Sequence, residues 1–219
     1  MSDTDGAELR FPEVETLQDL GTYVARARTL DGEGAVRLQA SGEVLAAWVQ
    51  VLPGQGLLGS GLVLGLRVMK LDGPHDLDAM VPLGAVSDRL ARRQSTGDVS
   101  AVLQVPPMRV TPPWAAISPP RGGWEQRGQV AHQVLVHAAR DGIEAVARGT
   151  PPGAGAAAVA SLRERIWGQR LSDDAGSPPA GVALGAHTLG FMGSDGPGAV
   201  LSSGPWTRVS LRNGDVLAR

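Results

Sequence analysis

The pattern of apolar and polar positions divides the chain into an amphipathic helix, a strand-rich stretch, a helical middle and a final hairpin. In TLQDLGTYVARARTL, apolar residues recur every three or four positions from Leu17 to Ala27, which predicts an amphipathic helix. Thr16 and Asp19, three residues apart, resemble a capping box, a pattern typical of a helix start. The chain is therefore predicted to begin with a surface helix.

Runs rich in valine and leucine follow this helix and predict strands. In GAVRLQASGEVLAAWVQVL, two such runs flank Ser41-Gly42, a dipeptide typical of a tight turn, which predicts a hairpin. The run Gly61 to Leu71 predicts a third strand of the same sheet, and LDGPHDLDAM, residues 71–80, is interpreted as a polar loop. The first 71 residues are thus predicted to form a helix packed on an antiparallel meander.

The rest of the chain is predicted to have a helical middle and to end in strands. The segment AVSDRLARRQ predicts a short helix, and VSAVLQV predicts a strand. The six prolines in residues 106–128 predict an extended segment. Helical periodicity returns in residues 129–149 and 156–171, whereas residues 181–192 fit a helix or a strand, with the helix favoured. PWTRVSLRNGDVLAR predicts a hairpin with a type I′ turn at Asn213-Gly214.

Together these elements predict an α+β fold with an N-terminal helix on an antiparallel sheet, a helical middle and a C-terminal β-hairpin. A chain of 219 residues with 42% hydrophobic content is long enough for one core, so residues 1–219 are predicted to form a single unit. The N-terminal residues 1–15 and the loop SDDAGSPPAG, residues 172–181, are predicted to be flexible because they are polar or rich in glycine and proline.

Composition narrows the classes of function. The absence of cysteine excludes disulfides, thiolate nucleophiles and zinc–thiolate sites. The net charge of −2 and the pI of about 6.1 make nucleic acid an unlikely partner, because nucleic-acid-binding domains are usually strongly basic. The acidic N-terminus is unlike a signal peptide and the longest apolar run is rich in glycine, so we expect a cytoplasmic protein with no membrane partner.

No catalytic residue, metal site or cofactor is predicted from the motifs. The G-x-S-x-G nucleophile motif is absent, and His132 and His137, five residues apart, would be rotated by about 140° around a helix axis. Gly54–Gly59, GQGLLG, matches the dinucleotide-binding spacing, but a β-type pattern follows it, so it is interpreted as a loop between strands. Arg163 and Arg165 are interpreted as part of a solvated face, with a local anion site as the alternative.

The most specific local pattern is PPRGGWEQ, residues 119–126. Its predicted binding residues are Arg121, Gly122, Gly123, Trp124 and Glu125. In the favoured interpretation, Trp124 anchors the proline-rich segment by burying its ring against the following helix, and Glu125 begins that helix beside an ion pair with Arg121. In the alternative, the glycines make room for a ligand or partner that stacks on Trp124 and pairs with Arg121.

Two functional hypotheses follow. The first is a non-catalytic protein-interaction or regulatory protein that binds an unknown protein partner or self-associates, because apolar residues lie in irregular segments and catalytic motifs are missing. The alternative is a small-molecule-binding protein or small enzyme that uses the Gly54–Gly59 loop and the Arg121–Trp124 region.

Four segments of the sequence together resemble a known family. RTLDGEGAVRLQ, PPRGGWEQ, HTLGFMG and PWTRVSLRNGDVLAR, in this order, resemble a family of uncharacterised actinobacterial proteins of about this length. The resemblance covers most of the chain and implies no assigned activity, so no functional residue is carried over from it.

Overall fold

The computed structural model describes residues 6–151, 153–172, 177–193 and 196–219. It confirms the α+β class, with helices and antiparallel strands and a C-terminal hairpin region. The elements in chain order are β1 (Glu8–Arg10), α1 (Val14–Leu30), β2 (Ala35–Leu52), β3 (Val63–Pro82), α2 (Leu83–Thr96), β4 (Val102–Gln104), a 3-10 turn (Pro113–Ala116), β5 (Glu125–Val130), α3 (His132–Arg148), α4 (Ala156–Trp167), α5 (Gly181–Thr188), β6 (Gly198–Ser203), β7 (Trp206–Leu211) and β8 (Gly214–Ala218).

The chain divides into two compact units, and β2 and β3 contribute to both. Unit 1 contains residues 1–50 and 66–115, and unit 2 contains residues 51–65 and 116–219. A single cooperative unit over residues 1–219 stays a prediction. Residues 1–5 and 173–176, parts of the segments predicted to be flexible, lie outside the described residues. From Glu8 onward the N-terminal segment forms β1 and the start of α1, and its flexibility stays a prediction.

In unit 1, α1 lies on the antiparallel strands, as its apolar periodicity predicts. Its buried face includes Leu17, Leu20, Val24 and Ala27, and the Tyr23 hydroxyl donates to the carbonyl oxygen of Ala47 in β2 over 3.2 Å. The helix begins at Val14, two residues before the predicted Thr16 cap. The N-terminal helix on an antiparallel sheet is therefore confirmed.

The predicted hairpin at Ser41-Gly42 is wrong, because β2 is one strand of 18 residues that passes through this dipeptide. Gly42 has a φ of +58°, and the alternation of buried residues changes phase across it, from Val36, Leu38 and Ala40 to Leu45, Ala47 and Val49. A single glycine with a left-handed φ, where the buried side chains switch from even to odd positions, is typical of a β-bulge. A β-bulge changes which side chains face the core without reversing the direction of the strand.

The polar loop predicted for residues 71–80 is also wrong, because these residues continue β3. Leu71, Leu77 and Ala79 are buried at odd positions, so the aspartates between them lie on the opposite, exposed face of the strand. One of these aspartates, Asp78, accepts a hydrogen bond from the Nε of Arg37 over 2.7 Å. The polar residues therefore mark a solvated strand face.

The single tyrosine of the chain provides a test of this packing. Burial raises the pKa of the Tyr23 phenol well above its ordinary value of 10.0. Above about pH 10 the unfolded chain loses a proton that the folded chain retains, so the free energy of unfolding should fall as the pH rises further. Ultraviolet titration should show no tyrosinate near pH 10 while circular dichroism still reports the fold; a tyrosinate signal at that pH from folded protein would contradict the burial.

The strands of unit 2 belong to a sheet with the order β2-β3-β8-β7-β6-β5, to which β2 and β3 contribute their ends. The pairs β8–β7, β7–β6 and β6–β5 are antiparallel. Helix α5 is buried and packs on α3 and β8. A Cβ at Gly181 would lie 2.9 Å from the Val63 Cγ2, and one at Gly185 would lie 2.8 Å from a Val216 methyl. The two glycines, four residues apart, therefore let the helix backbone approach the sheet closely.

The helices predicted for residues 129–149 and 156–171 are confirmed as α3 and α4, and the ambiguous residues 181–192 contain α5. The C-terminal hairpin is confirmed, but its turn is displaced by one residue from the predicted position. Leu211 pairs with Gly214, so the two turn residues are Arg212 and Asn213, and Asn213 does not have a positive φ. The type I′ turn at Asn213-Gly214 is therefore wrong.

Candidate functional site

A groove of about 370 Å³ opens on the surface of unit 2. It is lined by the β2–β3 connection, by α4 and the residues after it, and by the end of β8. Its apolar lining residues are Leu52, Pro53, Val63, Ala160, Trp167, Pro179 and Ala218, and its polar and charged ones are Gln55, Ser60, Arg163, Glu164 and Arg219. This lining, largely apolar with a few polar groups, is typical of a binding site.

The GQGLLG segment forms a tight loop between β2 and β3, in agreement with its interpretation as a loop between strands. Gln55 and Ser60 exchange two backbone hydrogen bonds of 2.8 and 3.0 Å, and Gly56 and Gly59 have φ values of +61° and +65°. A Cβ at Gly54 would lie 2.8 Å from the Gly59 Cα, so glycine is required where the two ends of the loop meet. The loop is therefore held in one conformation by its own backbone.

The tip of this loop presents two leucines to solvent at the groove's edge. Leu57 is 100% exposed and Leu58 is 69% exposed, while the neighbouring Gln55 and Ser60 line the groove. Single exposed apolar residues are common on protein surfaces, but two adjacent ones beside an apolar groove extend its apolar surface. We call Leu57 and Leu58 the leucine tip.

Helix α4 supplies the groove's buried aromatic residue and two of its charges. Trp167, 3% exposed, ends α4 and its ring packs directly over Gly142 of α3, where a Cβ would overlap the ring. Arg163 is half-buried and Glu164 exposed, and within the described residues neither forms an ion pair. Helix α4 therefore gives the groove one guanidinium and one carboxylate that are available to a bound molecule, beside the guanidinium of Arg219 at the end of the chain's last strand.

The predicted site residue Trp124 lies in unit 2 but does not line this groove. It is half-buried, its Nε1 donates to the carbonyl oxygen of Pro120 over 3.1 Å, and the Arg208 Cζ lies 5.9 Å from its ring centroid. The expectation that its ring is buried against the small residues of α3 is wrong, because the ring is only half-buried and Trp167 occupies the space over Gly142.

The other predicted site residues lie on the surface around Trp124. Arg121, Gly122, Gly123 and Glu125 are all exposed, and Gly123 has a φ of +73°. Glu125 forms an ion pair of 2.7 Å with Arg127 of the same strand, so the predicted pair with Arg121 is wrong. Glu125 also begins β5 and not a helix, because residues 125–130 pair with β6.

Sequence reasoning found the loop but missed the leucine tip and the groove. The sequence GQGLLG did contain a signal for the leucine tip. Its two leucines lie between glycines and fit neither a helical nor a strand periodicity, so they do not belong to a predicted core face. Arg163 is interpreted from the sequence only with Arg165, as part of a solvated face or a local anion site, and Trp167 gives no separate signal because it fits the ordinary pattern of an amphipathic helix.

Metal-binding and membrane-spanning features are not found in the described part of the chain. There, no group of three or more His, Cys, Asp or Glu side chains is placed to hold a metal ion. Within the same residues, no helix is both long and apolar enough to cross a membrane.

Comparison with solved structures shows a likeness of fold. A structure described as Caulobacter crescentus pol III beta matches with a TM-score of 0.52 and 12% sequence identity. The match covers 97% of this chain and 65% of that chain, so this chain spans less than two thirds of the protein it matches. At this identity the likeness concerns the fold alone.

Family models match both halves of the sequence, and their boundary falls close to the boundary at residues 115 and 116 between the two units. The model of a domain of unknown function, DUF8010, matches residues 4–116, and that of another, DUF8185, matches residues 119–219. No curated protein matches the sequence. These matches agree with the resemblance to an uncharacterised family, whereas the actinobacterial origin stays a prediction. The DUF8185 match covers the C-terminal part of the chain. Because the DUF8010 model covers more than half of the chain, the chain belongs to the DUF8010 family of domains of unknown function.

Proposed function

We propose that this chain is a non-catalytic interaction protein whose unit 2 groove receives apolar side chains of another polypeptide. The observation that carries the proposal is the leucine tip, held in solvent at the edge of an apolar groove. Moving one leucine side chain from water into an apolar contact contributes roughly 1.5–3 kcal/mol. A surface of this kind is therefore stabilised when a partner covers it.

The rigidity of the loop strengthens this proposal. The backbone hydrogen bonds between Gln55 and Ser60 and the left-handed glycines hold the leucine tip in place before any partner arrives. A preformed binding surface loses less conformational entropy on association than a mobile one. A loop that merely connected two strands would not require two exposed leucines at its tip.

Site-specific photo-crosslinking in the native cell tests the proposal. A photo-reactive phenylalanine analogue in place of Leu57 should crosslink to a polypeptide that mass spectrometry then identifies. Ala160→Trp should abolish the crosslink, because Ala160 is exposed on α4 and lines the groove, so the larger side chain fills it. The matched control is Ala158→Trp, which adds the same bulk at an exposed position of α4 that does not line the groove.

The proposal fails if no polypeptide crosslinks at Leu57, or if the crosslink survives Ala160→Trp unchanged. It also fails if the two tryptophan variants reduce the crosslink equally, since bulk anywhere on α4 would then act through the fold. Equal melting temperatures of both variants and the wild type establish that the fold is intact.

A small-molecule ligand is a second candidate, favoured by the size of the groove. A volume of about 370 Å³ lies within the range of roughly 300–1,000 Å³ that is typical of ligand sites. Arg163, Gln55 and Ser60 supply polar groups at its edge. Native mass spectrometry of the purified protein should then show a bound compound that Ala160→Trp removes; this result without any crosslinked polypeptide would favour the ligand-binding function.

The stretch Arg121–Glu125 remains a predicted binding surface of the same unit. Its support is the exposure of Arg121 and the half-buried ring of Trp124 over Arg208. The same crosslinker at Arg121 provides a direct comparison with the crosslinker at Leu57.

A further inference from the structure

We infer that the polypeptide that occupies the groove is a second copy of this chain, with the leucine tip of each copy seated in the groove of the other. The inference rests on the proposed function, because it names the partner of the same groove. Three features of the molecule support a second copy as the partner: the tip lies beside the groove, the loop carries no charged residue, and α4 presents two opposite charges that form no ion pair within the described residues.

The leucine tip and the groove form one self-complementary surface. Gln55 and Ser60, which close the base of the tip, also line the groove, so the projecting and the receiving parts are side by side. In a two-fold symmetric dimer each patch faces the same patch of the partner, and a projection beside a recess fits its own copy reciprocally. A single surface therefore provides both halves of the interface.

The loop brings no charged side chain of its own into the groove. Residues 51–66 contain no charged residue, and the tip carries two leucines between left-handed glycines. The apolar lining that faces it includes Leu52, Val63 and Trp167. Burial of charged side chains would oppose such an interface, and this loop has none.

The charges of α4 complement one another across the same two-fold axis. Arg163 and Glu164 are consecutive, both line the groove, and within the described residues neither has an ion-pair partner. An isologous contact that places Arg163 of one copy against Glu164 of the other automatically forms the reciprocal pair. Complementary charges of this kind select the partner and its orientation.

Sedimentation velocity of the full chain at micromolar concentrations tests the inference. The wild type should sediment as a dimer, and Leu57→Glu with Leu58→Glu should give a monomer. Arg163→Glu and Glu164→Arg should each weaken dimerisation by about tenfold or more, because each sets like charges against one another. The double variant Arg163→Glu with Glu164→Arg should restore the wild-type dissociation constant, because the reversed pair is again complementary. Val99→Glu, at an exposed valine of unit 1, is the matched control and should remain dimeric.

Three results would overturn the inference. They are a monomeric wild type, a dimer that the tip variants leave intact, and single charge reversals that the double variant does not rescue. The photo-crosslink at Leu57 separates this failure from failure of the proposed function. A crosslink to a different protein overturns the second-copy inference and leaves the interaction function standing, whereas a crosslink to α4 of another copy supports both.

Discussion

Replacing Trp167 with alanine is expected to lower the free energy of unfolding by about 3–5 kcal/mol, as is usual for removal of a buried aromatic ring. The ring is 3% exposed and packs against Gly142 of α3, so its loss leaves a cavity between α4 and α3. Urea denaturation followed by circular dichroism measures the effect. A loss of this size would threaten a domain whose total stability is typically about 5–15 kcal/mol.

Trp124→Ala is the matched control for this prediction. Trp124 is half-buried, and its contact with Arg208 is a cation–π interaction, which contributes about 0.5–1 kcal/mol at exposed sites. We therefore expect Trp124→Ala to destabilise the protein much less than Trp167→Ala. Equal losses from the two variants would contradict the different packing of the two rings.

Gly214→Val is expected to lower the free energy of unfolding by roughly 1–3 kcal/mol, the usual cost of overpacking a filled site. A Cβ at Gly214 would lie 2.6 Å from the Cε1 and Cζ atoms of Phe191, a buried ring that packs on the start of β8. The main cause is therefore steric contact with Phe191, with a smaller part from the φ of +159° at Gly214, and not the backbone angles of a type I′ turn. Urea denaturation provides the measurement.

A double-mutant cycle tests this cause. In a Phe191→Leu background the smaller side chain leaves room for the valine, so Gly214→Val should cost less than in the wild type. Costs that simply add in the double variant would show that Phe191 is not the obstacle. A neutral Gly214→Val in the wild type would contradict the close packing altogether.

The packing of α3 shows why sequence reasoning placed Trp124, and not Trp167, against this helix. Trp124 lies in an unusual sequence context between glycines and a carboxylate, whereas Trp167 ends an ordinary amphipathic helix. Local context carries no information about which distant residue provides space for a ring. Gly142 provides that space, 25 residues before Trp167 in the sequence, and only the packing of α3 against α4 brings them together.

The strand β5 was missed for a related reason. Five of its six residues are exposed, so it has no apolar alternation to signal a strand. It is a strand because its backbone pairs with β6, a partner some 70 residues away. Backbone pairing between distant segments leaves little trace in the local pattern of side chains.

The sequence by itself determined the α+β class, the helices α1 to α4 and the existence of the C-terminal hairpin, because helical periodicity and the paired apolar runs are properties of neighbouring residues. Tertiary structure decided the features that depend on register and close approach. Among them are the course of β2 through Gly42, the turn at Arg212 and Asn213, and the meeting of the GQGLLG loop with α4 at the groove. The course of β2 and the groove depend on contacts between residues far apart in the chain, and the turn lies where Gly214 packs closely against Phe191. Such contacts form only when the sheet and the helices pack together.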